Sequence, residues 1–505
     1  VDSVWVLGDQ LNRGLGALAQ ATPRTTRVLL VESQAKMRSK RWHVQRAHLV
    51  ISGMRHLADE LRAEGFDVDY RRADSLPEGL RAHREEHRPG RVLATEPASW
   101  DGLTMLRTHG VETVRSNQFL THPDEFADWA GGRSRLKMED FYRWQRRRLG
   151  YLMDGDEPAG GQWNFDHENR LGPPKGPYAW PAPYRRSLDA TDLKVLDELR
   201  EYFAKGSSTG RTGLWGSDPD GTWPTSRTHA LAQLQHVVDT VLPGFGPYED
   251  AMLTTNWHLA HTLLSPALNL GMLHPREVCD AIEGAYRAGS IPIASAEGVM
   301  RQIIGWREYV WGTYWLWMPE YRDENRLDAR RPIPPALLGA PTKMRCVQHV
   351  MRDINEHGYT HHIQRLMILG NLSLLAGVDP RSLSEWMWAG FVDGAEWVML
   401  PNVIGMALFA DGGRMATKPY AAGGAYIDRM SDYCKGCAYD RKQRTGPDAC
   451  PFTTLYWDFL ARHREVLLRN PRVAQQVRAA DRLSDLADVR TRAADVLNAL
   501  DDGIL

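Results

Sequence analysis

The chain is 505 residues long, with 43% hydrophobic and 25% charged residues, which predicts two or three globular domains rather than one ordinary core. Its formal net charge of −1 excludes a general attraction for nucleic acid, so such a partner would have to be held by a local patch. No apolar run approaches the ~20 residues that cross a bilayer.

In chain order, Val1-Asp-Ser-Val-Trp-Val-Leu-Gly-Asp opens as a strand rather than as a signal peptide. Strands are predicted at Val4–Leu7, Arg27–Glu32, Val68–Arg71, Arg91–Thr95 and Val111–Arg115. Helices are predicted between them at Arg41–Glu64, Pro77–His87 and Trp100–Gly110. This alternation predicts a doubly wound parallel α/β domain over residues 1–130. Gly8-Asp9-Gln10 falls where such sheets place ligands, but no G-x-G-x-x-G follows the first strand, which argues against an ordinary dinucleotide site.

Residues 131–200 read as an interdomain linker rich in glycine, proline and aromatics. Arg133, Arg135, Arg143, Arg146, Arg147 and Arg148 are its candidates for phosphate contact. From 201 to 505 the pattern is helix upon helix. Helices are expected at Ser226–Leu242, Asn256–Leu264, Arg276–Ala288, Ala296–Trp317, Arg345–His357, Ile363–Ala376 and Leu455–Leu468.

The cysteines carry the sharpest local signal. Cys346, the pair Cys434-x-x-Cys437, and Cys450 followed by Pro451 can supply four thiolates to an iron–sulfur cluster or to zinc. Disulfides and unconnected core thiols are the other readings, and spacing leaves the four open. Five cysteines in so long a chain do not make a disulfide scaffold, so a reducing, cytoplasmic location is expected. Cys279, in a helical stretch, reads as a small buried apolar residue.

Several stretches combine arginine, histidine and tryptophan more densely than helix packing requires. Gln302 and Trp306 stand one turn apart, and His362, Arg365 and Leu366 share a face at i, i+3 and i+4. The order His261-Thr-Leu-Leu-Ser-Pro, Arg301-Gln-Ile-Ile-Gly-Trp-Arg-Glu-Tyr, His361-His-Ile-Gln-Arg-Leu, then Asp393 with Glu396-Trp397 resembles the photolyase/cryptochrome flavoprotein family. In detail it is similar to the bacterial iron–sulfur branch, the prokaryotic (6-4) photolyases. Gly160-Gly-Gln-Trp-Asn-Phe-Asp, Thr417-Lys-Pro-Tyr and Met430-Ser-Asp-Tyr-Cys belong to the same pattern, which runs from Leu7-Gly-Asp-Gln to Tyr456-Trp-Asp-Phe-Leu.

The resemblance implies an N-terminal antenna-type α/β domain, a long linker, and an all-helical domain that buries FAD beside a 4Fe–4S cluster on Cys346, Cys434, Cys437 and Cys450. Leu263, Leu264 and Ser265 match its phosphate-binding turn, to which Tyr248 would add a hydroxyl. Gln302, Trp306, Arg307 and Tyr309 match the helix lining the flavin cavity, and Arg365 and Asp393 are its candidates for the isoalloxazine ring. The implied activity is light-driven repair of (6-4) photoproducts in UV-damaged DNA by a monomeric enzyme. His361 and His362 match the proton donors, with His362 preferred for the face it shares with Arg365, and Tyr420 would position a flipped base. The alternative within the family is a blue-light receptor using the same flavin.

Two departures stand out. Lys36 occupies the segment where relatives hold a lumazine antenna, 6,7-dimethyl-8-ribityllumazine, with a carboxylate, so Lys36, Gly8, Asp9 and Gln10 make an unpromising antenna site. Leu338 and Met387 replace redox-active aromatics, leaving Trp386, with Trp388 as a substitute, for electron transfer.

Overall fold

The computed structural model describes residues 1–204 and 213–505. Near its N-terminus, strands β1 (Asp2–Trp5), β2 (Thr26–Ser33), β3 (Arg41–His43), β4 (Asp67–Ala73), β5 (Val92–Thr95) and β6 (Glu112–Val114) alternate with helices. All but β3 form one parallel sheet in the order β4-β2-β1-β5-β6. Val28, Leu29, Leu30 and Val31 in β2 are no more than 4% exposed, because crossover helices cover both faces of a parallel sheet.

Strand order reverses beside β1, the usual ligand crevice of such sheets. Here the chain fills it. Gln10 Nε2 donates to the carbonyls of Thr95 and Glu96 at 3.2 and 3.1 Å. Gly16, at φ +41°, brings its backbone so close that a Cβ would lie 2.4 Å from the Thr95 side chain.

Two expected helices differ from what forms, and one strand appears that was not expected. The predicted helix Arg41–Glu64 begins only at Val44, where His43 Nδ1 accepts from Gln45 N–H. Before it, Arg41–His43 pairs in parallel with Gly213–Trp215, a strand in a region read as purely helical. Asn256–Leu264 is not a helix at all. The Asn256 side chain accepts from the N–H groups of His258 and Leu259, and Leu259 and Leu263 take left-handed φ values of 48° and 56°. Local side-chain bonding of this kind competes with helix formation.

Elsewhere the helical region follows the sequence, with one systematic addition. Arg301–Arg307, Gln364–Gly370 and Pro401–Ala407 are π-helical. Such insertions occur frequently at functional sites, and the first two carry quoted motifs.

Residues 131–200 contain a helix, Met138–Leu149, whose Met138, Phe141, Tyr142, Gln145 and Arg146 are buried. Gly305 admits this helix, since a Cβ there would lie 3.1 Å from the Met138 sulfur. The N-terminal domain is bonded to the helical region through Gln45, which donates to Ser217, Asp218 and Glu356 carbonyls. Glu308 likewise accepts from Thr121 N–H at 2.8 Å.

Candidate active site

One corner of the helical region is built around Asp393. Its carboxylate accepts both Nη atoms of Arg365, at 3.0 and 3.2 Å, and the Ser265 hydroxyl at 2.7 Å. Asn269 donates to the Asp393 carbonyl at 2.8 Å. Arg365 is held in turn by the Thr360 carbonyl and lies over the Phe391 ring at 4.0 Å. Arg46 reaches in from the N-terminal helix Val44–Ala63 and donates to the neighbouring Val392 carbonyl. Burial pulls the Arg46 pKa down to about 10, against the attraction of Asp393 and Asp9. Bidentate pairing fixes both planes, so the Arg365–Asp393 corner is rigid.

Next to it stand three histidines. His261 and His361 stack at 4.5 Å between centroids, and His362 meets His261 edge-on at 5.5 Å. His261 and His361 are buried, and burial followed by the neighbouring histidine charge drives both pKa values far below the ordinary imidazole range. His362 behaves in the opposite way. Almost half of its side chain is accessible, at 46%, and Nε2 lies 3.3 Å from Asp250 Oδ1. Burial, the largest single influence, would lower its pKa; the bond to Asp250 together with the charges of Glu249 and Asp250 outweighs it and raises the pKa. Of three clustered imidazoles, one is open and has its charged form favoured, while the other two are pushed toward the neutral form.

Around His362 lie further polar groups. Glu249 is buried, accepts from Gln302 Nε2 at 3.2 Å, and has its pKa pushed up to about 8, chiefly by burial. Tyr420 and Tyr426 both sit in the field of Arg170, and Tyr426 also in that of Asp250.

The expected cofactor residues fall into two groups. Ser265, Arg365 and Asp393 meet directly, Leu263 makes the strained turn before Ser265, and Gln302 is tied to Glu249. Arg307 and Tyr309 are used elsewhere. Arg307 binds Glu308 and the Leu268 carbonyl and covers Phe119 at 4.2 Å. Tyr309 packs among Phe126, Trp129 and Phe141. Both side chains face the N-terminal domain and linker. Trp306 stands between the groups, 6.3 Å from Tyr309, and Tyr248 joins Tyr178 and Trp180 in a half-buried aromatic cluster.

Trp386 lies 6.2 Å from Phe391, beneath the Arg365 guanidinium. Trp388 instead faces the N-terminal domain, with Trp42 at 6.4 Å and the Lys40 ammonium at 4.6 Å. Among the linker arginines, Arg146 is fully buried and donates to the Tyr151, Leu152 and Trp163 carbonyls. It is therefore a structural residue and corrects the phosphate-contact reading. Arg147 is exposed and lies over Trp163 at 4.6 Å.

Cys346, Cys434, Cys437 and Cys450 line one cavity together with Met344, Tyr433 and Arg441. All are free thiols, so the disulfide reading fails. The Cys346 pKa is driven well up by burial and then by the other three sulfurs. Four thiols whose ionised forms would repel one another, gathered in this way, suit a cation or cluster that neutralises them. Cys279 is fully buried elsewhere, as expected of an apolar residue.

Asp250, Glu249, Asn269 and Arg46 were not singled out from sequence. Only Asn269 carried a signal, since it lies three residues beyond the His261-Thr-Leu-Leu-Ser-Pro motif.

The chain is 41% identical over 518 residues to a (6-4) photolyase of Agrobacterium fabrum, covering 99% of each protein. It belongs to the photolyase family. Residues 4–212 also match the model of a family described as deoxyribodipyrimidine photo-lyase-related protein. In fold it is similar to a bacterial class III photolyase from Agrobacterium tumefaciens, at a TM-score of 0.58 and 16% identity over 99% of this chain and 98% of that one. A Synechocystis cryptochrome aligns at a TM-score of 0.53 and 15% identity, over 80% and 82% of the two chains.

Membership implies FAD and a DNA substrate. The residues fit FAD: His261 Nε2, His361 Nε2, Gln233 Oε1 and Thr360 Oγ1 are buried beside the Asp393 corner without a hydrogen-bond partner among the described residues. Buried polar atoms are seldom left so in a finished site. The lumazine antenna does not fit. Gln10 is spent on Thr95 and Glu96, Gly8 faces Met54 and Val50, and Lys36 offers an ammonium group.

Proposed function

We propose that this chain repairs (6-4) pyrimidine photoproducts in DNA in a light-driven reaction, with His362 as the proton donor. The contrast among the three histidines carries the assignment of that role: only His362 is both accessible and shifted toward its charged form. FAD, when bound, supplies the light-driven electron. Arg365 and Asp393 would hold its ring system, and Ser265, Leu263, Leu264 and Tyr248 its phosphates, with Gln302 and Trp306 along the cavity wall.

The rest is carried by side chains of this chain. Asp250 accepts from His362 Nε2 and favours the charged ring, which leaves the Nδ1 proton for delivery to a bound base as general acid catalysis. His361, neutral and stacked on His261, fixes the backbone turn from which His362 projects: its Nδ1 accepts from Ile363 N–H at 3.3 Å. Tyr420 would position the extruded base, and Arg133, Arg135, Arg143, Arg147 and Arg148 would hold phosphates. Trp386 is the retained candidate for passing electrons inward.

The four cysteines are proposed to hold a 4Fe–4S cluster rather than zinc. Tetrahedral zinc with ~2.3 Å bonds draws its sulfurs to within about 4 Å of one another. Among the described residues, the groups of three or more possible ligands whose atoms all lie within 4.8 Å of one another contain no cysteine. The wider spacing supports a cluster.

The deciding experiment illuminates the reduced holoprotein with an oligonucleotide carrying one (6-4) photoproduct. Restored thymines, separated by chromatography, are the expected result. An unchanged lesion under light that excites the flavin would overturn the assignment and leave the light-receptor alternative.

A further inference from the structure

On the edge strand of the N-terminal sheet, far in sequence from the repair site, three nitrogen atoms converge on one carboxylate oxygen. Asp69 belongs to β4, and His83 and His87 occupy positions i and i+4 of the helix Leu76–His87. Asp69 Oδ2 lies 2.6 Å from His83 Nδ1 and 3.2 Å from His87 Nε2, and accepts from Arg71 Nε at 2.6 Å. The two imidazoles are 5.0 Å apart and tilted by 56°. One ligand atom from each of Asp69, His83 and His87 falls within 4.8 Å of the others.

The far nitrogen of His83 is 2.8 Å from Ser3 Oγ. Ser3, His83 and Asp69 therefore have the connectivity of a hydrolytic triad. That reading fails on access, because Ser3 is 1% and His83 0% exposed, and no substrate carbonyl can reach the hydroxyl. A buried imidazole anchored through one nitrogen, with the other aimed at a carboxylate and a second imidazole, is instead how proteins orient a metal ligand.

Hydrogen-bond accounting favours the same conclusion. His87 Nε2 faces the Asp69 acceptor at 3.2 Å and the Arg71 Nη2 donor at 3.4 Å. A neutral ring can satisfy one of these and not the other. A cation between Asp69 and the two rings would use the nitrogen lone pairs. Arg71 has somewhere to go, since its Nη2 already binds Glu86 Oε2 at 2.7 Å. Ser3 can accept from His83 as readily as donate to it.

We propose that Asp69, His83 and His87 form a binding site for a divalent cation of the zinc class, with water completing a tetrahedral set. The bound ion would tie the helix Leu76–His87 to β4. Two imidazole nitrogens and one carboxylate oxygen suit zinc, whereas magnesium and calcium take oxygen ligands.

The test uses holoprotein with its cysteine site filled, freed of loose metal by a weak chelator. It is titrated with Zn²⁺ against a chromophoric competitor, in the wild type, His87→Ala and Ser3→Ala. The wild type should bind one more equivalent than His87→Ala, and Ser3→Ala should bind it about 10- to 100-fold more weakly. Zinc should raise the melting temperature of the wild type but not of His87→Ala, whose zinc-free melting temperature reports that it is folded. Equal zinc uptake by wild type and His87→Ala, or no uptake by the wild type, would overturn the proposal.

Discussion

Asp250 Oδ1 stands 3.3 Å from His362 Nε2 at the accessible edge of an otherwise buried histidine cluster. Against burial, this contact and the Glu249 charge together keep the His362 pKa above its ordinary value. A raised pKa means that the charged donor persists as pH rises past 6.5 and is lost only above the elevated value. Repair by the wild type should therefore fall on an alkaline limb. Asp250→Asn should move that limb to lower pH, and His362→Ala should reduce repair by about 10²- to 10⁴-fold at every pH. Lesion turnover under constant illumination, measured across the pH range, gives both results; an unmoved limb in Asp250→Asn would remove Asp250 from the mechanism.

Arg146 and Arg147 are adjacent and do opposite things. Arg146 is buried and serves three carbonyls, those of Tyr151, Leu152 and Trp163. Arg146→Ala leaves these acceptors without their donor and should cost about 3 kcal/mol of stability, read by denaturant unfolding. Arg147→Ala should leave stability within about 0.5 kcal/mol. Its effect should appear in DNA affinity, with the salt dependence flattened by about one phosphate contact. Unfolding curves that coincide for the two variants would contradict this division.

The contrast between those two arginines shows where sequence reading stops. A run of basic residues signals possible phosphate contacts, but burial depends on the loop that returns Trp163 over the helix, and no local pattern encodes that. Cys346, Cys434, Cys437 and Cys450 were legible because thiols are rare in this chain and their spacing is distinctive. Arg365 and Asp393 were legible through motif order, although their bidentate contact spans 28 residues. Asp250 and Glu249 were not, because carboxylates in a loop look like solvated charge until a distant histidine or glutamine is brought to them. The strand alternation gave the sheet in outline. The stretch Asn256–Leu264 misled, since apolar spacing there suggests a helix while the Asn256 side chain captures two backbone N–H groups instead.

Cys346→Ala and Cys279→Ala separate a ligand from a core residue. Both side chains are buried, so packing loss is common to the two. Cys346→Ala should lose iron and acid-labile sulfide together, whereas Cys279→Ala should keep both at wild-type levels. Iron and sulfide determinations on protein purified without oxygen decide this. Retention of a full cluster in Cys346→Ala, or zinc in place of iron in the wild type, would contradict the assigned ligand set.

Glu249 gives stability a pH dependence that a neutral replacement should remove. Burial raises its carboxyl pKa to about 8 in the folded protein from a reference of 4.5. Because the folded value lies above the unfolded one, its contribution is fully present in acid. That contribution is lost progressively between roughly pH 4.5 and 8 and is level beyond. Glu249 and His362 shift each other's pKa, so the difference between wild type and variant reports the pair's coupled titration, in which only the wild type ionises a buried carboxyl. Glu249→Gln keeps an oxygen for Gln302 Nε2 and carries no charge. Its melting temperature should match the wild type near pH 5, exceed it increasingly up to about pH 8, and then run parallel. Parallel curves over the whole range would mean that Glu249 is already ionised in the fold, and would place a compensating cation beside it.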